Sequence, residues 1–159
     1  MKHAVILSVI AFLLHFAWEN VQCPLFFVHG TYDATWRGMT TATLGDVVIT
    51  WALYSCIAAS RRDWRWPAAG WKFRDGVLFV AVALLIGFAI ELRALGQERW
   101  AYREGTPLVP GTGVSVIPLL QLLLLTPVVI QLSEAVVRRV RGRNSEVSGG
   151  ANSIDEHRR

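Results

Sequence analysis

The stretch "LLHFAWENVQCPLFF", residues 13–27, lies in one of the most apolar runs of the chain, yet it carries His15, Glu19, Asn20 and Gln22. At roughly 100° per residue, a helix here places Glu19 and Gln22 within about 40° of His15, and Trp18 within about 60°. Ser8, Phe12 and Phe26 fall in the same arc, whereas Leu13, Ala17 and Val21 point elsewhere. One face of this helix is therefore polar and aromatic, with Asn20 off it as a contact to a neighbour. Such a face needs something polar to meet.

Composition says what surrounds it. The chain has 159 residues, enough for one domain, of which 53% are hydrophobic and only 18% charged. A net charge of +4 and a pI near 9.6 are compatible with nucleic-acid binding. The basic residues, however, cluster between long apolar runs, which points to membrane topology and not to a nucleic-acid partner. Four runs, at about 4–28, 40–59, 76–96 and 114–137, are near the ~20 residues a helix needs to cross ~30 Å of hydrocarbon. None alternates with the period of two of a barrel strand, and a helix satisfies its own backbone in lipid. His15 and Glu19 break the apolar core of the first run and "WENVQCPLF" offers no small-x-small cleavage site, so the run is read as a helix and not as a signal peptide.

These features give an all-α fold, an integral membrane four-helix bundle over 1–140, followed by a disordered cytoplasmic tail over 141–159. Twelve of the sixteen Lys and Arg residues fall on one side if both termini are cytoplasmic; Arg37, Arg93, Arg99 and Arg103 fall on the other. This positive-inside bias fixes the expected orientation in a bacterial inner membrane. Trp64, Trp66 and Trp71 form the expected inner aromatic belt, with Trp36 and Trp100 in the outer one. Cys23 and Cys56 fall at opposite membrane depths and are expected to be free thiols. No CxxC, zinc-like spacing or phosphate-binding glycine loop is present.

Every helix repeats the device of the first. Helix 2 carries Asp46 beside Thr43 and Thr50, with Tyr54 on the same side. Helix 3 carries Glu91, with Gly87 one turn earlier leaving room for close approach, and helix 4 carries Gln121. Because successive helices alternate in direction, Glu19, Gln22, Asp46, Glu91 and Gln121 all fall in the outer half of the membrane. A charged residue at mid-bilayer costs ~2.5–3.5 kcal/mol on insertion scales, so three carboxyls and a histidine are expected to meet one another, with His15 beneath. The segment after helix 3, with Arg99, Trp100, Tyr102 and several Pro and Gly, is expected to fold over this end. There Arg99 or Arg103 could neutralise a carboxylate. Each polar residue also has a plain reading: an intrahelical His15–Glu19 bond, an interfacial Asp46 or Glu91, a packing role for Gln121.

The set "HFAWEN…PLF", "TLGDVVIT" and "ERWAYREGTPLVPGTGVSVIPLLQ" resembles an uncharacterised bacterial family of small polytopic membrane proteins, over most of residues 12–131. The order of Glu91, "RWAY" and the following prolines and glycine also looks distantly like the lycopene-cyclase-like and carotenoid-hydratase membrane proteins. That resemblance implies protonation of an isoprenoid in the bilayer by carboxyl groups, without a redox cofactor. The paired-acid "PxEE" pattern of the cyclases is absent, so no catalytic residue is carried over.

The leading expectation is a cofactor-free acid/base enzyme acting on a membrane lipid or isoprenoid. Glu19 or Glu91 is the acid, and His15 and Asp46 orient or reload it. Trp18, Gln22, Arg99, Trp100, Tyr102 and Gln121 line the substrate site, and Trp18 offers its π face to a cationic intermediate. A single buried histidine is thin support for a metal or haem, and none is expected. The first alternative is a small transporter or proton relay, which at four helices would have to form a homo-oligomer. The second is a non-catalytic subunit of a larger complex with a partner membrane protein.

Overall fold

The computed structural model describes residues 2–29 and 36–156, with the side chains of 3–28 and 36–143. Four helices dominate: α1 (Lys2–Phe26), α2 (Trp36–Arg61), α3 (Phe73–Gly96) and α4 (Val116–Glu156). Each contains a stretch long and apolar enough to cross a membrane: His3–Phe26, Trp36–Arg61, Phe73–Gly96 and Val116–Arg143. α1 packs on α2 and α4, and α3 closes the ring against the same two helices.

Neighbouring helices run antiparallel, as contacts at the two ends show. At one end His3 of α1 meets Tyr54, late in α2, with ring centroids 5.7 Å apart, and lies 3.9 Å from Glu134, in the second half of the apolar stretch Val116–Arg143 of α4. At the other end a two-stranded antiparallel ladder joins β1 (Phe27–His29), which follows α1, to β2 (Trp100–Tyr102), which follows α3. Large apolar side chains such as Val9, Leu13, Val48, Leu85 and Leu124 stand exposed around the outside. His15, Glu19, Gln22, Glu91 and Gln121 are buried within. Apolar outside and polar inside is the arrangement a bilayer favours.

Between the ends lies an apolar core in which Leu7, Ala11, Leu53, Ile57, Val129 and Ile130 are at most 1% exposed. Gly87 lets α3 and α4 approach closely: a Cβ there would stand 2.7 Å from Leu119 Cδ2 and 3.3 Å from Leu122 Cδ1.

The α2–α3 connection is tied by one guanidinium. α2 stops where Arg62 takes a left-handed conformation (φ 55°) and Asp63 N–H donates back to Ala58 O. Arg61 then pairs bidentately with Asp75 of α3 and donates to the carbonyls of Trp66 and Gly70. Asp75 in turn accepts from Lys72 N–H and so caps the start of α3. This folding-in corrects the aromatic belt expected from the sequence. Only Trp64 is exposed; Trp66 is fully buried and stacks edge-on at 4.9 Å against the half-buried Trp71, which packs on Phe79. A 3-10 turn at Trp66–Ala69 turns Trp66 inward.

α4 continues to Glu156, through the tail whose composition predicts disorder. No proline interrupts 128–156, and a helix already nucleated by packing extends without a second nucleation cost.

Candidate functional site: a carboxyl-lined cavity

The end of the bundle carrying the β1–β2 ladder holds a cavity of about 220 Å³. Glu19, Gln22 and Cys23 of α1, Asp46 of α2, Glu91 of α3 and Gln121 of α4 line it together, one or more from every helix. Its apolar wall includes Ile49, Ile90, Pro118 and Leu122. His15 sits behind Gln121 and is fully buried.

One donor fixes the orientation of the polar network. An indole N–H only donates, and Trp18 Nε1 lies 2.7 Å from Gln22 Oε1. The Gln22 amide nitrogen must then face inward, where it donates to Glu19 Oε1 and Gln121 Oε1, both at 2.8 Å. That in turn aims the Gln121 nitrogen at Asp46 Oδ2 (2.9 Å), His15 Nδ1 (3.1 Å) and Glu19 Oε1 (3.2 Å). His15 Nδ1 is therefore an acceptor, and its Nε2–H donates to Thr50 Oγ1 at 3.2 Å. A ring nitrogen on the face of α1 and two amides on different helices are thus set by Trp18.

Counting hydrogens exposes an imbalance. The Gln121 amide has two to give and three acceptors around it. His15 Nδ1 and Asp46 Oδ2 stand 3.8 Å apart within this group. Cys23 Sγ–H adds a donor only at the far oxygen, Glu19 Oε2, at 3.2 Å. The network has room for one more proton.

Glu91 is held separately. After α3, Glu98 adopts φ 52° and Arg99 N–H returns to Ala94 O, which turns the chain back over the helix end. Trp100 and Tyr102 of β2 thereby donate to Glu91 Oε2, at 3.3 Å and 2.5 Å. Burial, and then the neighbouring Glu91, push the Tyr102 phenol up from its ordinary pKa. Phe27 packs edge-on against both aromatic rings. The strap is pinned further by Arg103 N–H and Thr106 Oγ1, which donate to Phe26 O, and by Arg103 Nε to Phe27 O.

The walls differ in closure. Thr41 and Gly45 of α2 and Ile90 of α3 line the cavity and are also exposed on the outer surface. The cavity thus reaches the surface at Thr41 and Gly45 of α2 and Ile90 of α3, with exposed Arg99 also in its lining. Arg99 stacks its guanidinium 5.4 Å from the Trp100 ring centre.

Of the residues singled out from sequence, Glu19, Gln22, Asp46, Glu91, Arg99, Trp100 and Gln121 line the cavity. His15 and Tyr102 stand one hydrogen bond behind it. Trp18 is not among the lining residues, and its indole N–H donates to Gln22, which is. Arg103, expected near a carboxylate, spends its side chain on the Phe27 carbonyl. Asn20 is exposed and bonds Phe16 O in its own helix, not a neighbour. Cys23 was read only as a free thiol; it is free and lines the cavity, and its i+4 spacing from Glu19 was the available signal. Thr50, i+4 from Asp46, is the partner of His15. Among the described residues no group of three or more His, Cys, Asp or Glu side chains is disposed to hold a metal ion. No protein family, curated protein or solved structure matches this chain.

Proposed function

We propose that the protein is an acid–base enzyme of the bacterial inner membrane whose substrate is a membrane lipid, entering the cavity sideways between α2 and α3. The observation that carries this reading is the acceptor surplus around Gln121: Glu19, Asp46 and His15 Nδ1 compete for two amide hydrogens at the wall of a cavity. Such a group can hold a proton and hand it over. Glu19 is the residue that delivers or takes it, because it lines the cavity and both its oxygens are held. Asp46 and His15 complete the unit, and Glu91, fixed by Trp100 and Tyr102, faces the substrate from α3.

The lateral mouth favours a lipid, since the strap over the end is pinned to α1 by backbone hydrogen bonds. An apolar core beneath His15 and Thr50 favours a blind site over a transport path, because a relay to the opposite face would have to cross Leu7, Leu53, Ile57 and Ile130. Wild-type protein reconstituted with bacterial lipid extract should change the mass of one lipid class. Unchanged lipids after prolonged incubation with folded protein would count against an enzyme and for a membrane subunit.

The orientation is part of the proposal. Arg61, Arg62, Arg65, Lys72, Arg74, Arg138, Arg139 and Arg141 gather at the end opposite the cavity, so that end is cytoplasmic and both termini with it. A reporter fused after Arg159 should read cytoplasmic; a periplasmic signal would place the cavity in the inner leaflet.

A further inference from the structure

Arg99 stands at the edge of the cavity, but among the described residues no Lys or Arg forms an ion pair with its carboxyls. Among the described residues the ion pairs of Lys or Arg are Arg61–Asp75 and Arg138–Glu134, while His3 and His15 face Glu134 at 3.9 Å and Asp46 at 3.8 Å and carry charge only when protonated. None brings Lys or Arg to Glu19, Asp46 or Glu91, and the imidazole facing Asp46 presents an acceptor nitrogen. Glu91 is 5% exposed and lines the cavity; both of its donors bond Oε2, and among the described residues Oε1 has no hydrogen-bond partner. A carboxylate oxygen accepts and never donates, so the group that completes this site carries N–H or O–H donors, and the acidic walls favour positive charge. A quaternary ammonium has no donors and relies on several aromatic faces; among the described residues only Trp100 and Phe27 bring aromatic rings to the cavity. A primary ammonium has three donors for carboxyl oxygens on opposite walls.

We propose that the part of the lipid that enters the cavity is a primary ammonium, with its hydrocarbon lying out between α2 and α3. This rests on the reading of the cavity as a lipid site and names the chemistry that site recognises. Two sources share the chemistry, a single-chain amine and an aminophospholipid.

The test uses the full chain in phosphatidylcholine nanodiscs, titrated with octylamine and, separately, octanol, with binding read from tryptophan fluorescence. Octylamine should bind about tenfold tighter or more, as a hydrogen bond to a charged partner requires. Glu91→Gln should remove most of that preference. Equal affinity of amine and alcohol for the wild-type protein would overturn the proposal, and that comparison needs no variant to fold. Replacing phosphatidylcholine with phosphatidylethanolamine separates the sources: weakened octylamine binding marks the aminophospholipid as occupant, and undiminished binding marks the single-chain amine. If octylamine binds with this preference while no lipid is ever converted, the acid–base reading falls and the ammonium assignment stands.

Discussion

Glu19→Gln should lower lipid conversion by about 10²–10⁴-fold, the usual contribution of a positioned acid or base, while leaving the folded protein almost as stable as wild type. The geometry makes this separation possible. Glu19 Oε1 accepts from Gln22 and Gln121, and a glutamine oxygen in the same place accepts both. Its amide nitrogen then falls beside Cys23 Sγ, which now stands as donor at 3.2 Å from Glu19 Oε2 and can rotate its hydrogen away to become a weak acceptor. Shape and hydrogen bonds survive and only the exchangeable proton is lost. The measurement is conversion of reconstituted lipids by mass spectrometry at matched amounts of folded protein. Unimpaired conversion would remove Glu19 from the chemistry, and a variant that fails to fold would make Glu19 a structural residue.

The opposite end of the bundle offers the largest effect on stability. Asp75→Ala strands the Arg61 guanidinium against the Trp66 and Gly70 carbonyls and removes the acceptor for Lys72 N–H at the start of α3. Both partners are largely buried, with 11% and 5% of their side chains exposed. The pair nevertheless lies near the end of the bundle, where losing hydrogen bonds to a charged partner typically costs about 1.5–3 kcal/mol. The expected outcome is a clear drop in unfolding midpoint in detergent with the cavity residues untouched. Because Arg61→Ala removes the same interaction, the double variant should be far less destabilised than the sum of the two. Additive losses would show that the pair does not hold the α2–α3 connection.

The helical period made the polar face of α1 legible, since His15, Glu19 and Gln22 recur at spacings of three and four. The shared depth of Asp46, Glu91 and Gln121 was legible because consecutive membrane helices alternate in direction. The β1–β2 ladder was not: it pairs Phe27 with Tyr102 and His29 with Trp100 across 75 and 71 positions of sequence, and three-residue strands carry no periodic signal of their own. The part of Trp18 was hidden for a related reason. A wheel places it near the polar arc, but only the position of Gln121 on α4 reveals that its indole sets two amides. The burial of Trp66 depends on the turn that Pro67 helps to build and on the Arg61–Asp75 clamp, neither of which hydropathy records.

If a lipid occupies the cavity from the side of α2 and α3, Gly45→Trp should displace it. Gly45 lines the cavity, and a Cβ added there meets nothing within 4 Å. Replacing a glycine inside a helix also favours the helix by a few tenths of a kcal/mol or more, so the variant should fold while its indole fills the mouth. Wild type and variant are purified in nanodiscs cut directly from native membranes, and the lipids retained by each are identified by mass spectrometry. The expected result is one lipid species enriched over the surrounding bilayer in wild type and lost from Gly45→Trp. The same lipid complement in both, with neither enriched over the bilayer, would contradict a lateral lipid site.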